Sequence, residues 1–191
     1  MIRTIAFDEK DKKILTMFSQ NPNVSQEIIG EEIGMKQPSV AVRIRKLKEA
    51  GALEQMAGID PFRLGLQMAK VDVTTTNPGK VIKLFESCPY FMNGLIVSGK
   101  SNLMLFFVAE SISTLESIVD GHLRRMPEVQ EVEFNIVISS GKQMVMPVDL
   151  VPESEKTGPC EPHATCLECE SYKAGRCSGC PIVVDDGGWF F

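Results

Sequence analysis

Five of the six cysteines fall within 21 residues near the end of the chain, spaced as Cys160-x2-His163-x2-Cys166-x2-Cys169-x7-Cys177-x2-Cys180. A C-x2-C pair lets two thiolates converge on one ion, and a seven-residue loop can bring two such pairs together. Cys166, Cys169, Cys177 and Cys180 would suit tetrahedral zinc and would equally satisfy an iron–sulfur cluster. Zinc is favoured because the tail lacks a recognisable ferredoxin run. Cys160 and His163 are left over as replacement ligands, a second site or a labile position. A short polar segment cannot offset its ordering entropy by burying apolar surface, and thiolate coordination would supply that free energy. The pattern fits a structural staple and a metal- or redox-responsive sensor equally well. Cys88, in ESCPYF, reads as a packed or turn cysteine.

A second chemistry lies upstream. Between Lys36 and Lys48 the chain holds five cations (Lys36, Arg43, Arg45, Lys46, Lys48) and no acid. Placed on a helix at about 100° per residue, Val40, Ile44 and Leu47 form one apolar stripe. Pro38, Ser39, Val42, Arg45 and Lys46 take the opposite face, with Arg43 on its flank. An apolar back with short polar and cationic side chains in front is what a helix in the DNA major groove requires. Arg and Lys reach guanine edges or phosphates, and Ser suits phosphate oxygens. A valine among them could meet a thymine methyl. Taken alone, a cationic helix face is most often simply solvated; the acid-free run and the elements before it argue for more.

Those elements are two preceding helices. Asp11 to Ser19 places Ile14, Leu15 and Phe18 on one face, and NPN ends it. Ser25 is a candidate cap for a helix reaching Ile33, followed by a Gly34-Met35 turn. Pro38 suits the first turn of the third helix and Gly51 its end. ALEQMAGID then predicts a short strand pair, the wing of a winged helix-turn-helix.

Residues 66–146 change rhythm. LQMAKVDVTT, FMNGLIVSG, NLMLFFVAE and VQEVEFNIVIS read as strands. Asn77-Pro78 opens one intervening helix. Ser113 and Glu116 predict a capping box for another, stopped by Pro127. The order β-α-β-β-α-β predicts a ferredoxin-like antiparallel sheet with both helices on one face, so the chain as a whole is α+β. His122 falls near the apolar face of the second helix, a structural position.

The expected domains are therefore 1–60, 61–146 and a linker with the cysteine-rich tail, 147–191. Formal charge is 0 over residues 1–60, −1 over 61–150 and −4 over 151–191, a total of −5. Phosphate binding depends on local charge, so the acidic balance does not exclude a DNA reader. The hydrophobic fraction of 43% is that of a globular protein. No apolar run reaches the roughly 18 residues of a membrane span, and no secretory signal is visible. The expectation is a cytoplasmic protein without membrane association. No Ser/His/Asp set, phosphate-cradling glycine loop or supported carboxylate pair suggests an enzyme.

FDEKDKKIL, NVSQEIIGEEIGMKQPSVAVRIRKLKEAGAL and GIDPFRLG together resemble the Lrp/AsnC (feast/famine) family of bacterial and archaeal regulators, over roughly residues 5–145. The resemblance implies a transcriptional regulator that binds double-stranded DNA at a pseudo-palindromic operator. The candidate DNA contacts are those at the start and on the outer side of the third helix: Gln37, Ser39, Val42, Arg43, Arg45 and Lys46. The resemblance also implies sheets pairing across a dimer, with further assembly into tetramers or octamers, and a small-molecule effector. Two positions depart from the family pattern. Lys36 stands where the family commonly caps the recognition helix with serine, leaving Gln37 or Ser39 to serve. The effector loop between the second and third strands is Gly99-Lys100-Ser101-Asn102, with Lys100 and Asn102 where acids are common. That loop is either a plain hairpin turn or an altered effector site better suited to an anionic ligand. The cysteine tail is not part of the family pattern. A redox protein using the N-terminal domains only for assembly is the alternative reading.

Overall fold

A computed structural model describes residues 6–147 and 169–180. They belong to two compact units, divided after Met56.

In the first unit, α1 (Glu9–Gln20), α2 (Gln26–Ile33) and α3 (Gln37–Glu49) enclose Ile14, Phe18, Ile29, Ile33, Val40, Ile44, Leu47 and Leu53. Helix α1 starts before the expected Asp11 because Asp8 caps it. The Asp8 side chain accepts from the Asp11 amide, and Asp11 returns a bond to the Asp8 amide, closing a capping box. Ser25 caps α2 as expected, and Gly34 ends it in the left-handed conformation. Ile28 points outward, leaving Ile29 and Ile33 as the buried stripe.

Two expectations fail here. Neither Gln37 nor Ser39 caps α3; both lie inside it, and Lys36 occupies the cap without a side-chain bond. The first turn is instead set by Pro38, whose fixed φ suits it and whose missing N–H removes one donor that would need a cap. The wing strand pair does not form: residues 52–58 carry no strand. Gln55 reaches back to the Pro22 carbonyl and accepts from Lys48. Ile59 then exchanges both backbone bonds with Met146 at 2.9 Å. A Cβ on Gly58 would lie 2.5 Å from the Met146 oxygen, so this pairing, not a hairpin, uses that glycine.

The second unit is the βαββαβ arrangement. Strands β1 (Gln67–Thr75), β2 (Phe91–Ile96), β3 (Leu103–Ala109) and β4 (Val129–Ile136) form an antiparallel sheet in the order β2-β3-β1-β4. Helices α4 (Pro78–Phe85) and α5 (Ile112–Gly121) bury Val81, Phe85, Leu115, Ile118 and Val119 in one core with Ala69, Val71, Val73, Leu103, Leu105 and Phe107. The alternate residues Lys70, Asp72, Met104, Phe106 and Leu95 are register partners on the other face. Asn77 caps α4. The cap of α5 is Ser111, not Ser113; Ser111 keeps extended backbone after β3 and accepts from the Thr114 amide. Helix α5 stops at Gly121, and a 3-10 turn (Leu123–Arg125) covers the remaining distance to Pro127. His122 lies edge-on to Phe85, with ring centroids 6.3 Å apart, a structural packing position. The described part of the tail contains the one-turn α6 (Glu170–Lys173).

Candidate nucleic-acid interface and effector loop

Helix α3 buries Val40, Ile44 and Leu47, the stripe read from its periodicity. Its outer face presents Gln37, Pro38, Ser39, Arg45 and Lys46 to solvent, and Val42 is 41% exposed. Arg45 lies 3.8 Å from Glu49 one turn on, a loose and exposed pair. The face borders a groove of ≈ 620 Å³ lined also by Phe7, Met35 and Asp11.

Arg43 behaves differently from its neighbours. Its side chain is 27% exposed, and Nη1 lies 2.6 Å from Asp11 Oδ1 and 2.7 Å from Asp8 Oδ2. It bridges α3 to the capping box of α1. The Asp8 carboxyl is held below its ordinary range, first by the Asp11 amide; desolvation opposes the shift, and Arg43 adds to it. The same two carboxylates raise the Arg43 guanidinium. The sequence signal was present in the Asp8-x2-Asp11 spacing beside a cation just off the outer face of α3. Only the packing of α1 on α3 reveals the link.

The GKSN loop is drawn onto the end of β1. Asn102 Nδ2 donates to the Thr75 carbonyl at 2.8 Å, and its Oδ1 accepts from the Thr75 amide at 3.0 Å. The side chain thus replaces a ladder pair. Thr74 Oγ1 donates to the Lys100 carbonyl, and Lys100 Nζ reaches Glu131 of β4 at 2.7 Å, a contact that raises the Lys100 amine. Gly99 adopts φ +121°, open to glycine. Ser101 is half-buried in the turn.

Of the proposed metal ligands, Cys160, His163 and Cys166 lie outside the described residues. Cys169, Cys177 and Cys180 are half-buried. The Gly179 amide donates to Cys177 Sγ at 3.4 Å, a bond that stabilises sulfur carrying negative charge. Among the described residues, no three Cys, His or acidic side chains converge as a metal site. No helix among them is long and apolar enough to cross a membrane.

Comparison with known proteins follows the division into units. Residues 7–54 match the winged helix-turn-helix DNA-binding family, and residues 68–146 match the Lrp/AsnC ligand binding domain. The transcriptional regulator AzlB of Bacillus subtilis is 25% identical over 153 residues, which span 76% of this chain and 98% of AzlB. AsnC of E. coli superposes with a TM-score of 0.64 at 18% identity, over 73% of this chain and 97% of AsnC. A Neisseria meningitidis transcriptional regulator solved with L-Met superposes with a TM-score of 0.61 at 18% identity, over 76% of this chain and 98% of its own. Both family matches end before the cysteine-rich tail.

Proposed function

We propose how this chain, a DNA-binding transcriptional regulator of the Lrp/AsnC type built from a helix-turn-helix and a ligand-binding domain and not an enzyme, reads DNA, assembles and responds. Helix α3 enters the major groove with Gln37, Ser39, Val42, Arg45 and Lys46 forward. Arg43, on the flank of that face, ties the helix to Asp8 and Asp11 at the start of α1. The observation carrying this reading is the split of α3 into a buried apolar stripe and an exposed face bearing Ser39, Val42, Arg45 and Lys46. The test is fluorescence anisotropy with duplex from the protein's own promoter over a salt series. Arg45→Ala and Lys46→Ala should each weaken binding, and loss of a phosphate contact lowers the salt slope by about one unit. Parent-like binding by both variants would remove α3 as the reader.

The protein acts in the cytoplasm as a dimer or a higher assembly, tetramer or octamer, on pseudo-palindromic sites. The open sheet face, with Met104, Phe106 and Leu95, is the surface that would pair.

The N. meningitidis relative solved with L-Met makes a small amino acid the first effector to test. In this chain both amide atoms of Asn102 are used by Thr75, and Lys100 stands where an ammonium group would prefer a carboxylate. The GKSN loop is therefore a weak seat for an apolar amino acid and a better one for an anionic ligand.

The tail binds zinc through Cys166, Cys169, Cys177 and Cys180, with Cys160 and His163 as spare ligands; an iron–sulfur cluster is the other chemistry that this donor set supports. The Gly179 N–H bond to Cys177 sulfur supports a thiolate there. Elemental analysis of protein purified without oxygen distinguishes zinc, iron and neither.

A further inference from the structure

The C-x2-C turn at Cys177–Cys180 does not stand apart from the ligand-binding domain. Three residues around Cys177 bond to three different places on that domain. The Arg176 carbonyl accepts from Ser113 Oγ, in the first turn of α5. Ser178 Oγ donates to Glu110 Oε1 at 3.0 Å, just after β3. The Gly179 carbonyl accepts the Tyr90 hydroxyl proton at 3.0 Å, just before β2.

The third bond is the anchor. Tyr90 is 3% exposed and packs in the sheet core. A phenol has one proton, and here it is given to Gly179 in a buried bond, where losing the acceptor is costly. Burial pushes the Tyr90 hydroxyl well above its ordinary range, with Glu110, Cys177, Cys180 and Cys88 adding in that order, so it stays a donor. Glu110 also belongs to both sides. Its Oε1 accepts from Ser178 and from buried Thr114, while Oε2 is buried without a partner among the described residues.

The same contacts shape the turn that carries the thiols. Gly179 adopts φ +88°, a conformation that favours glycine, and from it gives its carbonyl to Tyr90 and its amide to Cys177 Sγ. One residue thus connects the hydroxyl of the domain to the sulfur of the tail. The unexpected capping of α5 fits this arrangement. Ser111 serves the helix, which leaves Ser113 to hold Arg176.

We infer that Tyr90, Glu110 and Ser113 form a seat for the Cys177–Cys180 turn, through which metal occupancy of the tail is coupled to the ligand-binding domain. The coupling rests on the reading of the tail as a thiolate metal site; the seat does not. Linkage makes the effect reciprocal: a seat that favours the metal-binding turn raises metal affinity, and bound metal tightens the seat.

The experiment uses the full chain, reduced and purified without oxygen, as parent, Tyr90→Phe and Glu110→Gln. Iodoacetamide labelling of the metal-free proteins, read peptide by peptide, tests the seat. Cys177 and Cys180 should react about five- to tenfold faster in Tyr90→Phe, the effect of one lost buried hydrogen bond. Cys169 serves as the internal control, since none of these three seat bonds comes from it. Equal rates at Cys177 and Cys180 in all three proteins would overturn the seat. Zinc competition against a chromophoric chelator, with amide exchange, tests the coupling. Zinc should slow exchange across Ser111–Thr114, and Tyr90→Phe should bind zinc several-fold more weakly. Parent-like affinity with unchanged exchange would overturn the coupling alone. If the parent binds no zinc while Tyr90→Phe still labels faster, the metal reading and its coupling fall and the seat stands.

Discussion

Arg43 of α3 shares a single guanidinium nitrogen between Asp11, at 2.6 Å, and Asp8, at 2.7 Å, so the cation nearest the middle of that helix is tied to α1. The two acids also close the capping box of α1. Loss of Arg43 therefore disturbs a helix start and a helix–helix contact together. Arg43→Ala should cost about 1–2 kcal/mol in urea unfolding of the helix-turn-helix unit. It should weaken DNA binding while leaving the salt slope nearly unchanged. A slope change as large as that of Lys46→Ala would instead place Arg43 on a phosphate.

The same pair makes a prediction in pH. The Asp8 carboxyl titrates below its ordinary 3.8 in the folded protein. A depressed acid contributes stability that is present above 3.8 and is lost as pH falls through the lower folded value. Asp8→Asn keeps a capping oxygen but drops the charge. It should unfold at a lower temperature than the parent near neutrality, and the gap should close as pH falls below 3.8. A gap that stays constant to acid pH would show that the charge contributes nothing.

Asn102→Ala should unfasten the GKSN loop from β1. Two hydrogen bonds to the Thr75 backbone are lost, at a cost of about 1–3 kcal/mol, read as a lower midpoint in thermal unfolding. Calorimetry of the parent should show little binding of leucine. Tight leucine binding that Asn102→Ala abolishes would make this side chain an effector ligand.

Phe106→Glu tests assembly. Phe106 is partnered across the open sheet face by Lys70 and Asn93, away from the helix-covered core. A carboxylate there should leave the fold intact and shift the light-scattering mass toward monomer, because a buried unpaired charge at an interface is costly. An unchanged oligomer would move the interface elsewhere.

Much of this protein was legible in the chain. Periodicity placed Val40, Ile44 and Leu47 on the buried side of α3, and the βαββαβ order followed from alternation and turn residues. These features are local: an apolar stripe needs no knowledge of what it packs against. Local signals misled where two positions offered the same chemistry. Ser111 and Ser113 can both cap a helix, and the exit direction of β3 decided for Ser111. The wing failed for a related reason. Gly58 suits a hairpin, but Met146, far along the chain, approaches it and takes the backbone bonds of Ile59. Tertiary structure alone settled the partners of Arg43, of Asn102 and of the turn at Cys177. A long polar side chain reveals its type in sequence, whereas its acceptor is set by which elements pack within a few ångströms.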